Sequence, residues 1–275
     1  MMALIKLSKI KETFNIFIKG LNNFALIAIC VFAPLTIISI LGPSQASLQA
    51  SFNEAQADQG MLAYLFNGYG LYTLLISLLT IFSITIGFSA LSVATGQYIN
   101  DNKIDIENCF RQISWRFLSI LFITGILLTS IITTMLGFVL FIPTIGLLSA
   151  LGIGAFFLTL ISLLVTVHEG EKYFSAIKRG FRLAEYALLK VAGTMILISI
   201  IGFFVKFVLD LPKLLLISSI NNEIILFKVL FETVGLISIS VSVTFVAIAV
   251  TLLYLDMRDR FDSFNAGKLS HQTGL

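Results

Sequence analysis

Six long apolar runs, near 23–42, 70–97, 117–140, 144–167, 190–211 and 227–255, take up most of this 275-residue chain. No other feature restricts the fold as much. The chain is 57% hydrophobic and 12% charged, whereas a soluble domain carries about 25% charged residues. A water-soluble core has no room for that much apolar surface. Each run supplies the roughly 20 residues that one helical crossing of a bilayer requires. Inside hydrocarbon the backbone must satisfy itself, which leaves helices or closed barrels. Barrel strands alternate apolar and polar residues. These runs are continuous, so they are helices. The first begins only near Phe24, after a charged amphipathic stretch, and reads as a span, not as a cleaved signal.

The basic residues fix an expected orientation. Lys6, Lys9, Lys11 and Lys19 precede the first span. Lys103, Arg111 and Arg116 lie between the second and third. Lys172, Lys178, Arg179, Arg182 and Lys190 lie between the fourth and fifth, and Arg258, Arg260 and Lys268 follow the sixth. Fifteen of the eighteen Lys and Arg thus fall on one side. Only Lys206, Lys213 and Lys228 fall on the other. The positive-inside rule then places both termini in the cytoplasm and the loop 43–69 outside. Tyr64, Tyr69 and Tyr72 are expected at the outer interface, and Tyr98, Trp115, Tyr186 and Tyr254 at the inner one.

The pattern repeats three times. Leu7, Ile10, Phe14, Phe17 and Leu21 share a helical face, as do Ile106, Phe110, Ile113 and Phe117, and Phe174, Ile177, Phe181, Ala184 and Leu188. Charged residues occupy the remainder of each stretch, and each stretch precedes two spans. An amphipathic helix with basic residues lies naturally in the interfacial plane. The expected fold is all-α: a polytopic membrane protein with six transmembrane helices in three hairpins, each preceded by a cytoplasmic amphipathic interfacial helix. It forms one integral membrane domain, 1–275, in units 1–100, 101–167 and 168–262, with 263–275 as a flexible cytoplasmic tail. The amphipathic stretches read either as solvated loop helices or as surfaces for lipid headgroups or a partner.

The second helix of each hairpin carries a stripe of small and hydroxyl residues. These are Thr73, Ser77, Thr80, Ser83, Gly87, Ala90 and Ala94 in span two; Ser149, Gly152, Ala155, Thr159, Ser162 and Thr166 in span four; and Ser240, Thr244, Ala247 and Thr251 in span six. Small residues let helix backbones approach, and hydroxyls bond across them. Spans two, four and six are therefore expected at the centre, with a weakly polar pathway as the alternative use of the stripes.

Charge is absent from the middle of every span. Near the outer end of the last hairpin, Lys206 and Glu232 are equidistant from position 219, as are Asp210 and Lys228. A turn near Ser218–Ser219 would set both pairs level, as a four-charge cluster that fixes helix register or gates a solute. Candidate cytoplasmic-face residues are Glu169, Lys178, Arg179, Asp256 and Arg258. His168 and Glu169 are adjacent on a helix and so expected to face different ways. No catalytic, cofactor-binding or metal-binding set is expected. Cys30 and Cys109 read as buried thiols acting as small apolar residues.

Two stretches resemble a known family. Tyr254, Asp256, Arg258, Phe261 and Asp262 at the end of span six resemble the closing motif of the membrane domain associated with glycerophosphoryl diester phosphodiesterases. Ile142-Pro143, Glu169-Gly170 and Ala176-Ile177-Lys178-Arg179 match its centre in outline, with Gly180 where that family commonly has Ser. The layout is also similar to the YciC-like family of six-span proteins. The resemblance implies six helices, cytoplasmic termini and a cell-membrane location; catalysis is not implied. The expected role is assembly, lipid organisation or envelope maintenance. Membrane lipids and an undefined membrane-protein partner are the expected contacts, with no nucleic acid and no cofactor. A transporter or channel for a small or lipidic solute is the alternative. An enzyme acting on lipid headgroups through Glu169, Asp256 and Arg258 ranks third.

Overall fold

The computed structural model describes residues 7–43, 68–139, 145–186, 188–220 and 225–273, with side chains described for 11–43, 70–133, 152–185, 193–213 and 226–263. The chain order is α1 (Leu7–Lys19), α2 (Leu21–Leu41), α3 (Gly68–Asp101), α4 (Ile106–Val139), α5 (Ile145–Glu169), α6 (Tyr173–Tyr186), α7 (Leu188–Ile220) and α8 (Ile225–Thr273). Six of these helices, all but α1 and α6, are long and apolar enough to cross a membrane. The chain is an all-α, multi-pass membrane protein. Ser149, Tyr64 and Tyr69 lie outside the described side chains.

The helix breaks follow local chemistry. Gly20 separates α1 from α2, and the Phe24 ring lies where a Cβ at Gly20 would sit, at 2.5 Å. Asn102 leaves α3 in the left-handed region at φ 53, and its N–H bonds the Tyr98 carbonyl at 3.0 Å. Asp105 then caps α4 by accepting the Asn108 N–H at 3.0 Å. Gly170, at φ +78, ends α5 in the conformation that glycine favours. From Ile106 to Thr124 no Gly or Pro interrupts the chain. The second amphipathic stretch is accordingly not a separate interfacial helix but the first turns of α4. α8 continues as helix to Thr273, through most of the segment 263–275.

The central arrangement matches the expectation. Every residue is buried from Gly87 to Gly96 in α3, from Ile161 to Val167 in α5 and from Ala247 to Tyr254 in α8. Burial on all sides over two turns or more means that each of these segments is enclosed by neighbours. The odd-numbered spans bury one stripe only: Phe24, Ile27, Ala28 and Phe32 on α2, and Thr194, Met195, Ile198 and Gly202 on α7. Enclosure stops partway up. Leu71, Leu74, Leu75 and Leu78 at the far end of α3 are exposed, with Thr73 and Ser77 among them. Most buried hydroxyls bond the carbonyl four residues back, as Ser89, Thr95, Thr159, Ser162, Thr244 and Thr251 do. That satisfies them without water and suits close packing.

The amphipathic faces are rotated from those read off the sequence. Along α1 and into the start of α2, Thr13, Ile16 and Gly20 are buried while Phe14 and Leu21 are exposed. On α6, Ala176, Gly180, Leu183 and Ala184 are buried while Phe174 and Phe181 are exposed. Large apolar residues lose nothing by facing lipid, so the small ones take the contact face. Cys30 follows the same logic on the outside of α2, where it is exposed instead of buried; Cys109 is buried as expected.

The three hairpins form a ring with one gap. α2 packs on α3 and α8, and α4 packs on α5 and α3. α7 packs along α8 and, among the described residues, along no second span. Among the described residues α5 and α7 thus make no extensive contact with each other.

Gly180 seats α6 on α5: a Cβ there would lie 2.6 Å from Ser162 Oγ and 3.1 Å from its Cα and N. Gly180→Ala is expected to destabilise the protein by about 1–3 kcal/mol through overpacking, read as a lower melting temperature in detergent. Gly125→Ala, where nothing lies within 4 Å, is expected to leave that temperature unchanged or slightly raised.

Candidate functional site

The basic ends of the three enclosed helices meet in a polar clamp. α5 delivers Glu169 at its last residue, and Gly170 turns the chain away immediately after. Tyr254 of α8 donates its hydroxyl proton to Glu169 Oε1 at 2.6 Å. Arg179 of α6 donates from Nε to Glu169 Oε2 at 3.0 Å. Both carboxylate oxygens are thus held, by two different helices. Arg179 Nη2 also donates to Asp262 Oδ1 at 2.9 Å, and its guanidinium lies over the Phe261 ring at 5.0 Å. One arginine thereby ties α6 to α5 and to α8. Partial burial works against its charge, but the bonds and charges of Asp262 and Glu169 outweigh that, and its pKa stands above the ordinary arginine value.

A second, deeper layer joins α3. His168 Nε2 and Ser92 Oγ are 2.9 Å apart, and Thr251 Oγ1 lies 2.9 Å from the same Ser92 oxygen. The His168 ring stacks on the Tyr254 ring at 5.5 Å between centroids. Gly96 makes room for it, since a Cβ there would fall 2.9 Å from His168 Cε1. Arg116 of α4 donates to the Val167 carbonyl, one of the carbonyls that the end of α5 leaves without a helical partner. His168 and Glu169 do reach different groups, as adjacent helical residues should. Both nevertheless converge on Tyr254, one through its ring and one through its hydroxyl.

Of the cytoplasmic-face candidates, the clamp gathers Glu169 and Arg179. Lys178 points outward from α6 and is exposed. Asp256 accepts a bond from Arg260 at 3.2 Å, and Arg258 donates to Asp259 at 3.3 Å, both at the rim of the clamp. Reading the sequence singled out none of Ser92, Thr251, Arg116 and His168 as partners in one cluster. Tyr254 and Asp262 carry a signal that was available: eight residues apart, they share one face of α8 with Thr251 and Phe261. Among the described residues no group of three His, Cys, Asp or Glu side chains is placed to hold a metal ion.

The opposite end differs from expectation. Lys206 pairs with Asp210 on its own helix instead of with Glu232. Lys213 lies 3.8 Å from Asp210 and sets its ammonium over the Phe231 ring at 4.7 Å. Lys228, expected to face Asp210, donates to the Gly42 carbonyl at 2.6 Å and so caps the C-terminal end of α2, where a cation is favoured. The cause is register. α7 continues through Pro212 to Ile220, which moves the turn past the expected Ser218–Ser219. Lys206 then comes level with Ser238, whose hydroxyl donates to the Lys206 carbonyl at 3.2 Å.

Two predictions follow from these two ends. In a double-mutant cycle with Arg179→Ala, Glu169→Gln is expected to show the larger coupling and Asp262→Asn the smaller, because the Glu169 side chain is 18% exposed and that of Asp262 52%. Hydrogen bonds to a charged group are worth about 1.5–3 kcal/mol and exposed ion pairs about 0–1 kcal/mol; melting of the four proteins of each cycle measures the difference. At the far end, in a background without Cys30 and Cys109, cysteines at 206 and 238 are expected to cross-link with a short thiol reagent and cysteines at 206 and 232 are not. Compared with known proteins, the chain matches no family model, no curated protein and no solved structure.

Proposed function

We propose that this chain is a non-catalytic component of the cytoplasmic membrane that organises lipid and supports assembly at the inner surface, with both termini in the cell interior. One observation carries the reading. Arg179 locks α6 against α5 and α8, and in that position Phe174 and Phe181 face outward beside the exposed Lys178 and Arg182. A helix with that composition, held rigidly at the end of a bundle, is built to engage an interface. The clamp's carboxylates are engaged by Arg179 and Tyr254, which favours a holding role for them over acid–base chemistry. The bias of Lys and Arg toward this end supports the orientation. The family resemblance supports the same reading, since five of the residues that carry it, Glu169, Arg179, Tyr254, Phe261 and Asp262, meet in the clamp.

A second reading, transport of a lipidic solute, draws on the sparse packing between α5 and α7 among the described residues. Ser240 and Ser242 of α8 add to it, because both hydroxyl oxygens are buried without a hydrogen-bond partner among the described residues.

Purification in mild detergent followed by mass spectrometry is expected to find phospholipid retained on the protein. Proteoliposomes are expected to show no acceleration of the transbilayer movement of a fluorescent phospholipid. Absence of retained lipid would sink the first reading, and rapid movement would replace it with the second. Reporter fusions at either terminus are expected to be active only in the cell interior.

A further inference from the structure

α6 is tied to the chain at both ends and lies on α5 in a costly position. It follows α5 through Gly170, Glu171 and Lys172, and a single residue separates its far end from α7. Tyr173, its first residue, has a φ of 47. A bulky side chain is strained in that left-handed region, which glycine alone adopts freely. The side chain does not explain why the strain is kept. Tyr173 is 40% exposed, and its ring meets Phe122 only edge-on, at 5.7 Å. What requires the turn is the direction α6 must take to lie back along α5.

A second cost lies beneath the helix. Gly180 sits against Ser162, and Thr166 is one turn further along that same face of α5. Thr159 and Ser162 on this stripe bond the carbonyl four residues back. Thr166 is 0% exposed, and its hydroxyl has no hydrogen-bond partner among the described residues. A hydroxyl in that state is destabilising, whereas water would satisfy it. Both costs arise because α6 is docked. Against them stand the packing of Ala176, Gly180 and Ala184 and one polar tie, from Arg179 to Glu169 and Asp262. Among the described residues no other side chain of α6 hydrogen-bonds another helix.

We infer that α6 is a strained strap, held closed over the small-residue face of α5 by Arg179, and that it lifts as a unit when this arginine leaves Glu169 and Asp262. Lifting frees Tyr173 from the left-handed region and opens the Thr166 hydroxyl to water. It also uncovers Ser162 and Thr166, residues small enough to let another helix approach closely. α7 can follow the strap, since among the described residues it packs extensively on α8 alone. The inference concerns the movement of α6 and stands apart from the lipid-organising reading.

The test uses full-length protein in detergent, with Cys30→Ser and Leu183→Cys, labelled by a water-soluble maleimide and read thiol by thiol in a mass spectrometer. Leu183 lies on the covered face of α6 at 0% exposed. Cys109, also 0% exposed, lies on α4 and reports opening of the bundle as a whole. Position 183 is expected to react roughly tenfold faster than Cys109, as a locally opening unit should. Arg179→Gln is expected to speed reaction at 183 by about tenfold or more, because hydrogen bonds to charged groups are lost. Tyr173→Ala and Tyr173→Gly both remove the ring from Phe122, but only glycine is at ease at that φ. The glycine protein is therefore expected to react at 183 roughly three- to tenfold more slowly than the alanine protein. Thr166→Val keeps the shape, removes the unpartnered hydroxyl and is expected to slow reaction at 183 relative to the parent. Cys109 is expected to react at the same rate in all of them. Equal rates at 183 and Cys109 overturn the strap as a separate unit. Equal rates for Tyr173→Ala and Tyr173→Gly overturn the inference, and so does a Thr166→Val protein that reacts as fast as the parent.

Discussion

Between helices in hydrocarbon the hydrophobic effect is silent, because lipid tails are as apolar as leucine. What remains is close van der Waals approach and polar bonds that would otherwise go unmade. The chain uses both in a consistent way. Gly180 against Ser162, Gly202 against Val246 and Gly87 against Phe32 let helices come close enough for dispersion to act over many atoms. Several phenylalanines are left exposed, Phe174 and Phe181 on α6 and Phe203, Phe204 and Phe207 on α7. A soluble protein with this distribution would be inside out.

The two ends of the bundle are held by different means. At the basic end, one carboxylate receives donors from two helices and one arginine reaches two carboxylates, so α5, α6 and α8 cannot shift independently without leaving a charge unpaired. At the other end, each contact between helices joins one pair only: Lys228 and the Tyr72 hydroxyl reach carbonyls at the end of α2, Ser238 of α8 reaches the mid-helix Lys206 carbonyl of α7, and Lys213 of α7 lies over the Phe231 ring of α8. Full enclosure of α3, α5 and α8 is confined to their basic halves. Among the described residues the molecule is thus tied at one end by a shared network and at the other by separate pairwise contacts.

The sequence made the class, the six spans and the central position of the even-numbered spans legible, because apolar run length and small-residue stripes report directly on membrane packing. The face of α1 was misread by about one residue, and that of α6 likewise. A hydrophobic stripe marks the core only when the surroundings are water, and here they are lipid. The outer pairing failed for a more local reason. Antiparallel register depends on where a turn falls, and Pro212 was free to sit inside α7 instead of ending it. The clamp was half visible, through Glu169 and Arg179. Ser92 could not be found, because it lies off the small-residue stripe assigned to its helix and its partners are 76 and 159 residues away.

The 49 residues of α8 form a single helix, about 74 Å long at 1.5 Å per residue and more than twice the roughly 30 Å thickness of a bilayer's hydrocarbon. Some 19 of those residues follow Tyr254, which makes a rod of about 28 Å standing beyond the clamp. A rod of that length multiplies angle into distance: tilting by about ten degrees at Tyr254 carries its tip through about 5 Å. The Arg179–Asp262 bond braces it less than halfway along. Any load applied at the tip would therefore arrive at Glu169 as leverage on the bond that holds α6 in place.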